Sequence, residues 1–214
     1  MVDRPLRVAV LASGRGSNLA ALIAARLQVD FVLVGSDKAK AGALALAAAA
    51  GIPTLHLNPR DYADRASFDR ALFGRVAEAQ PDLLVLAGYM RIIDGTVIAP
   101  WEGRAINIHP SLLPKYRGLH THRQCLAAGD AEHGASVHFV TAELDGGPVV
   151  AQARITVRPG DTEASLAERL LVEEHKLLPA VVEAIASGRL RWDGGPVFDD
   201  TPLRTPLDLR AVVP

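Results

Sequence analysis

The stretch RVAVLASGRGSNLAALIAARL, Arg7 to Leu27, decides the fold. RVAVLAS is a short apolar run with β-branched residues, as a strand buried on both faces reads. A Gly-x-Gly corner follows, and NLAALIAARL then carries apolar residues at helical period. The same alternation recurs: FVLVGSD leads into GALALAAAAG, PTLHL into FDRALFGRVAEA, and DLLVLAGY through a short turn region into AINIHP. Strands separated by helices predict βαβ units and an α/β fold: a Rossmann-like, mostly parallel sheet with helices on both faces. After about residue 130 the pattern changes. ASVHFVT and PVVAQARITV flank AELDGG with no helical segment between them, which predicts an antiparallel hairpin extending the sheet. A long amphipathic helix follows, with Asp161 or Thr162 as N-cap, a kink at Pro179 and a stop at Gly188. The last twenty residues, rich in Pro and carrying DGG, read as an irregular tail.

Composition bounds the function classes. The 214 residues suit one well-buried domain, with 49% hydrophobic and 22% charged residues and a formal net charge of −1. No long basic run is present, so the footprint of a nucleic-acid binder is missing, and an anionic ligand must be held locally. The apolar run from Ala43 to Ala50 is far short of the ~20 residues a membrane-spanning helix needs. A single cysteine, Cys125, excludes an intramolecular disulfide and fits a cytoplasmic location.

The glycine corner is built for an anion, because helix N-termini present free N–H groups and glycine lets a ligand approach the backbone. Gly14 and Gly16 supply two glycines of a dinucleotide fingerprint, and Asp37 lies roughly twenty residues on, where a ribose-binding acid is expected. The third glycine position, however, holds Leu19. Ser17 and Asn18 place two short polar side chains at the helix entrance, suited to one phosphate or to capping. A purely structural turn with Asn18 as the cap is the competing reading. No GxxxxGK[ST] loop occurs, which argues against a nucleoside triphosphate.

In AINIHP, residues two apart share a strand face, so Asn107 and His109 point one way while Ile106 and Ile108 pack on the other. Pro110 ends the ladder, placing His109 at the carboxyl end of its strand, where open α/β sheets bind ligands. An amide donor and an imidazole aimed at one oxygen can polarise a carbonyl. Asp145, in the turn ELDGG, is the candidate carboxylate. Beside His109 it is expected to fix the tautomer and raise the imidazole pKa, favouring the cation. Five of the seven histidines fall between residues 109 and 138. His120-x-His122 near Cys125 nevertheless lacks the ligand spacing of a zinc site, and helix capping and loop hydrogen bonds are the roles expected of these two. Ser111 is not in a G-x-S-x-G elbow, so no serine nucleophile is expected.

NIHPSLLPKYRG followed by GASVHFVTAELDGGPVVAQ resembles the signature of formyltransferases that use 10-formyltetrahydrofolate. With SGRGSNL, LAGYMRII and EEHKLLP, the chain from residue 6 to 192 is similar to the phosphoribosylglycinamide formyltransferases of purine synthesis. The resemblance implies that Asn107, His109 and Asp145 are catalytic. It places the substrate phosphate on Gly16, Ser17 and Asn18, and the substrate ribose on Glu174. It assigns folate contacts to Arg65, Met90, Arg91, Ile92, Ile93 and Asn107, with the loop from Thr141 to Asp145 closing over the pterin.

The co-substrates implied are glycinamide ribonucleotide and 10-formyltetrahydrofolate, with no metal, nucleic acid or membrane partner and a homodimer left open. One formyltransferase domain over 1–214 is expected, divided into a phosphate-binding lobe (about 1–100), a catalytic and folate-binding lobe (about 101–192) and the tail (193–214). Methionyl-tRNA formyltransferase and formyltetrahydrofolate deformylase resemble the same core but carry further domains, for which this chain has no room. A deformylase-like hydrolase and a non-enzymatic nucleotide-binding module are the alternatives.

Overall fold

The computed structural model describes residues 4–212. The first half alternates as the sequence predicts: β1 (Leu6–Leu11), α1 (Ser17–Ala24), β2 (Val29–Ser36), α2 (Gly42–Ala49), β3 (Thr54–His56), α3 (Arg65–Glu78), β4 (Leu83–Leu86), α4 (Gly95–Ile98) and β5 (Ala105–His109). Then come α5 (Thr121–Ala128), β6 (Glu132–Phe139), β7 (Val149–Thr156), α6 (Glu163–Ala186), β8 (Leu190–Trp192), β9 (Pro196–Phe198), β10 (Thr201–Pro202), β11 (Leu207–Asp208) and α7 (Leu209–Val212). The main sheet has eight strands in the order β11-β7-β6-β5-β4-β1-β2-β3. β1 to β5 are mutually parallel, and β6 and β7 add the expected antiparallel hairpin beyond β5.

Both faces of the sheet are covered, and β1 shows why its sequence is apolar throughout. Val8 and Val10 enter a core with Leu19 and Leu22 of α1 and Leu177 and Val181 of α6. Ala9 and Leu11 enter a second core with Phe68, Leu72 and Val76 of α3. The first core continues through Ile106, Val137 and Val150, joining both halves of the chain.

α6 starts at Thr162, whose side chain accepts from Ser165 N at 3.2 Å while Ser165 Oγ accepts from Thr162 N at 3.0 Å. Asp161 is not the cap, because its carboxylate is taken by Arg158 N and Arg169. The helix runs unbroken through buried Pro179, and Gly188, at φ 76°, lies just beyond its end.

Two expectations need correction. The tail is not irregular: β8, β9 and β10 form a separate antiparallel sheet, and β11 pairs in parallel with β7. Its apolar residues are too sparse to show a period, yet Val197 is buried and Trp192 meets Phe139 edge-to-face at 4.9 Å. The capping role expected of His120 is not filled: it stands at the N-cap of α5 with no side-chain bond, and the period of that helix is obscured by its polar residues. Among the described residues no helix is long and apolar enough to cross a membrane.

Candidate active site

The strand order reverses between β1 and β4, so the loops leaving their carboxyl ends part and leave a crevice, the usual ligand position in such sheets. Ser13 ties that crevice together. Its N–H donates to Gly88 O at 3.0 Å, its hydroxyl donates to Asp37 at 2.6 Å, and it accepts from Met90 N at 3.0 Å. Asp37 is buried and held by Ser13, a structural engagement that replaces the ribose role its spacing suggested.

Gly16 is the N-cap of α1, at φ 83°, and a Cβ there would stand 2.7 Å from Ala43 Cα. A side chain is therefore excluded both by conformation and by space. No side chain caps this helix, leaving first-turn N–H groups without intrahelical partners. Asn18 is not the cap: its side chain turns inward, and Nδ2 donates to Glu174 Oε2 of α6 at 2.9 Å. Burial raises the Glu174 pKa, and the Asn18 hydrogen bond opposes that. These residues line a cleft of about 750 Å³ that also touches Arg15, Gly88, Met90, Ile108, Pro110 and Glu168.

At the end of β5, Asn107 and His109 do share a face, and the turn after β6 brings Asp145 to both. His109 Nδ1 is 3.4 Å from Asp145 Oδ2, with the two side chains 7% and 9% exposed. Asn107 Nδ2 is 3.4 Å from Asp145 Oδ1, and Gly118 N donates to Oδ2 at 2.9 Å. Asp145 adopts φ 47°, a left-handed conformation that Asp tolerates better than most residues. Gly147 closes the turn, because a Cβ there would lie 1.9 Å from Phe139 O.

The electrostatics correct one expectation. Burial pushes the His109 pKa below the ordinary imidazole value, and the Tyr116 carbonyl and Asp145 only partly offset it. The ring is therefore neutral near pH 7, and since a carbonyl only accepts, Nε2 carries the proton it donates to Tyr116 O at 2.8 Å. Burial alone would raise the pKa of Asp145. The His138 and His109 rings, once protonated at low pH, together with the Gly118 N–H outweigh that and hold the carboxyl below its usual range.

The remaining predicted residues surround this centre. Arg65 is exposed at the start of α3. Met90 and Ile92 are 62% and 54% exposed, and Leu144, inside the loop from Thr141 to Asp145, is 47% exposed. Ile93 packs against the second core, and Arg91 lies over Phe68, 4.8 Å from the ring centre. His120 occupies the N-cap position of α5 without a side-chain capping bond, while His122 Nδ1 lies 3.0 Å from His133 Nε2. Ser111 donates to Lys115 O at 2.6 Å. Among the described residues no group of three or more His, Cys, Asp or Glu side chains is placed to hold a metal ion.

Sequence reading missed His138, which stands across from Asn107 in the β5–β6 pairing, and Gly118, whose N–H meets Asp145. The alternation in ASVHFV placed His138 on a strand, but only the hairpin register sets it opposite Asn107.

The formyl transferase family model matches residues 6–182. Phosphoribosylglycinamide formyltransferase of Escherichia coli is 47% identical over 190 residues, covering 87% of this chain and 90% of that protein. The trifunctional purine biosynthetic protein adenosine-3 of Bos taurus is 43% identical over 86% of this chain, which spans 19% of that longer protein. The solved phosphoribosylglycinamide formyltransferase of Coxiella burnetii superposes with a TM-score of 0.90 at 41% identity, covering 95% of this chain and all of that one. By the family match and these identities, the chain belongs to the formyl transferases, in the phosphoribosylglycinamide formyltransferase family.

Proposed function

We infer that the protein transfers the formyl group of 10-formyltetrahydrofolate to the amine of glycinamide ribonucleotide, giving formylglycinamide ribonucleotide and tetrahydrofolate, in de novo purine synthesis. The observation that carries this reading is the convergence of Asn107, His109 and Asp145 at the end of β5, beside the cleft that the uncapped start of α1 lines. One end offers donors and a carboxylate for acyl transfer, and the other offers N–H groups for a phosphate.

In this reading Gly16, Ser17 and Asn18 hold the phosphate and Glu174 the ribose. The exposed apolar side chains of Met90, Ile92 and Leu144 suit a flat aromatic donor, and Arg65 supplies a cation for its carboxylates. The attacking amine forms a bond to the formyl carbon, the bond from that carbon to N10 breaks, and one proton passes from the amine to N10. Asn107 Nδ2 and His109 Nε2–H stabilise the developing oxyanion, the latter on leaving the Tyr116 carbonyl. Asp145, kept ionised, relays the proton through an ordered water. Because His109 starts neutral, it acts as a hydrogen-bond donor through Nε2–H and carries no standing positive charge, burial outweighing the pull of Asp145 toward the cation. A reducing, cytoplasmic setting suits the free and buried Cys125.

The deciding experiment follows loss of the formyl group from 10-formyltetrahydrofolate by absorbance, with and without glycinamide ribonucleotide. Turnover that requires the nucleotide is expected. Turnover without it makes the protein a hydrolase, and none in either case returns it to a binding module.

A further inference from the structure

We propose that His138 is a positioning residue for the formyl transfer inferred above, setting which end of the Asn107 amide faces the reacting oxygen. His138 is 2% exposed, on β6, directly across from Asn107 on β5. Its Nδ1 lies 2.9 Å from the Phe139 carbonyl oxygen. A carbonyl only accepts, so Nδ1 carries the ring proton and Nε2 is left with a lone pair. Asn107 Nδ2 is 3.1 Å from that Nε2.

An amide oxygen cannot bond to a lone pair, so the ring selects the NH2 end of Asn107 and turns Oδ1 away. Asp145 Oδ1, 3.4 Å from the same Nδ2, pulls the same end. The alternative, His138 donating to Asp145, spans 3.6 Å and is too long for a hydrogen bond.

The arrangement extends into the backbone. Phe139 N donates to Pro148 O at 3.0 Å, and the β6–β7 register slips between Val137 and His138. Gly147, with no side chain, lies against the Phe139 carbonyl that His138 uses. The Phe139 carbonyl thus fixes a tautomer and the tautomer fixes the amide, whose second N–H, held only by Asp145 at 3.4 Å, is the one left to turn to the developing oxyanion.

The test combines kinetics with nitrogen NMR on the full chain. His138→Phe removes the acceptor at similar shape and is expected to lower kcat about 10- to 100-fold, a partial version of losing one oxyanion donor, with KM for the nucleotide changed less than about twofold. His138→Gln keeps an acceptor and is expected to recover most of that loss. In an Asn107→Ala background, His138→Phe is expected to cost less than about threefold more, because its effect runs through Asn107. An equal loss in both backgrounds, or no loss in kcat, overturns the proposal.

Histidine ring 15N spectra of the wild type supply a reading that needs no variant to fold and no turnover. The Nδ1–H tautomer is expected for His138, and an Nε2–H ring overturns the proposal even in an active enzyme. If the wild type turns over no formyl donor, the transferase reading and the positioning role fall together, while the spectrum still reports the hydrogen bond.

Discussion

Asn18, in the first turn of α1, reaches across to Glu174 on α6 with Nδ2 2.9 Å from Oε2. Burial raises the Glu174 pKa and this bond opposes the rise. Asn18→Ala therefore moves Glu174 further toward the neutral acid. KM for the nucleotide is expected to rise by about tenfold, more at pH 6 than at pH 8, with kcat largely kept. A KM–pH series checks this. Lower kcat at unchanged KM would remove Asn18 from the phosphate site.

Among the described residues Arg15 is the one Lys or Arg lining the cleft, which also holds Glu168 and Glu174. Among the described residues its guanidinium has no ion pair, and it is exposed. Arg15→Ala is expected to raise KM for the nucleotide several-fold at low salt, with the gap to wild type narrowing as salt screens the charge. Salt-dependent kcat/KM for both proteins decides the matter.

His109 sets a signed pH dependence. Its pKa lies below 6.5, so the neutral ring fills as pH rises through that lower value. The acid limb of kcat/KM is accordingly expected below pH 6.5, with a plateau through neutral pH. Asp145 raises the His109 pKa, so Asp145→Asn moves any residual limb to still lower pH, besides removing the proton relay. His109→Ala or Asn107→Ala is expected to cost ~10²–10³ in kcat. A limb traced to His109 above pH 6.5 would restore the cationic mechanism.

His133 links pH to stability. Burial, helped by His122, pushes its pKa down to about 4. Between pH 6.5 and about 4 the unfolded chain binds a proton at this residue that the folded chain does not, so stability is lost as pH falls through that window. The loss is roughly 3.5 kcal/mol at most, at about 1.4 kcal/mol per pH unit. Urea unfolding at pH 7.5 and 4.5 is expected to show a smaller acid loss for His133→Asn than for wild type.

Gly147→Ala places a methyl group against Phe139 O, at a separation no real contact tolerates. The turn carrying Asp145 must shift, at a stability cost of about 1–3 kcal/mol. Tm is expected to fall by several degrees and activity by much more, because Asp145 leaves His109. Thermal melts and kcat on one sample separate the two effects.

Local pattern carried the alternating half of the fold because both faces of β1 are buried and its helices follow closely. The shared face of Asn107 and His109 was legible for the same reason, since period two is a property of one strand. Asp145 could be nominated by its turn but not placed, because its approach depends on a positive φ and on a glycine that fits only one way. Asp37 shows the opposite failure: its spacing matched a ribose acid, while Ser13, distant in sequence, had already taken it. The direction of the His109 shift lay outside sequence reading altogether, because burial competes with Asp145 and only packing decides which is larger.

The main sheet ends at β3 on one side, only three residues long, and beyond β7 on the other. β7 is eight residues long, a length of open backbone on which another chain could add a strand. β11 pairs with Ala151 and Gln152 in its middle, and α7 follows directly. The segment read as an irregular tail thus covers part of the β7 edge and leaves a two-residue strand outermost, a short edge of the kind that limits edge-to-edge pairing.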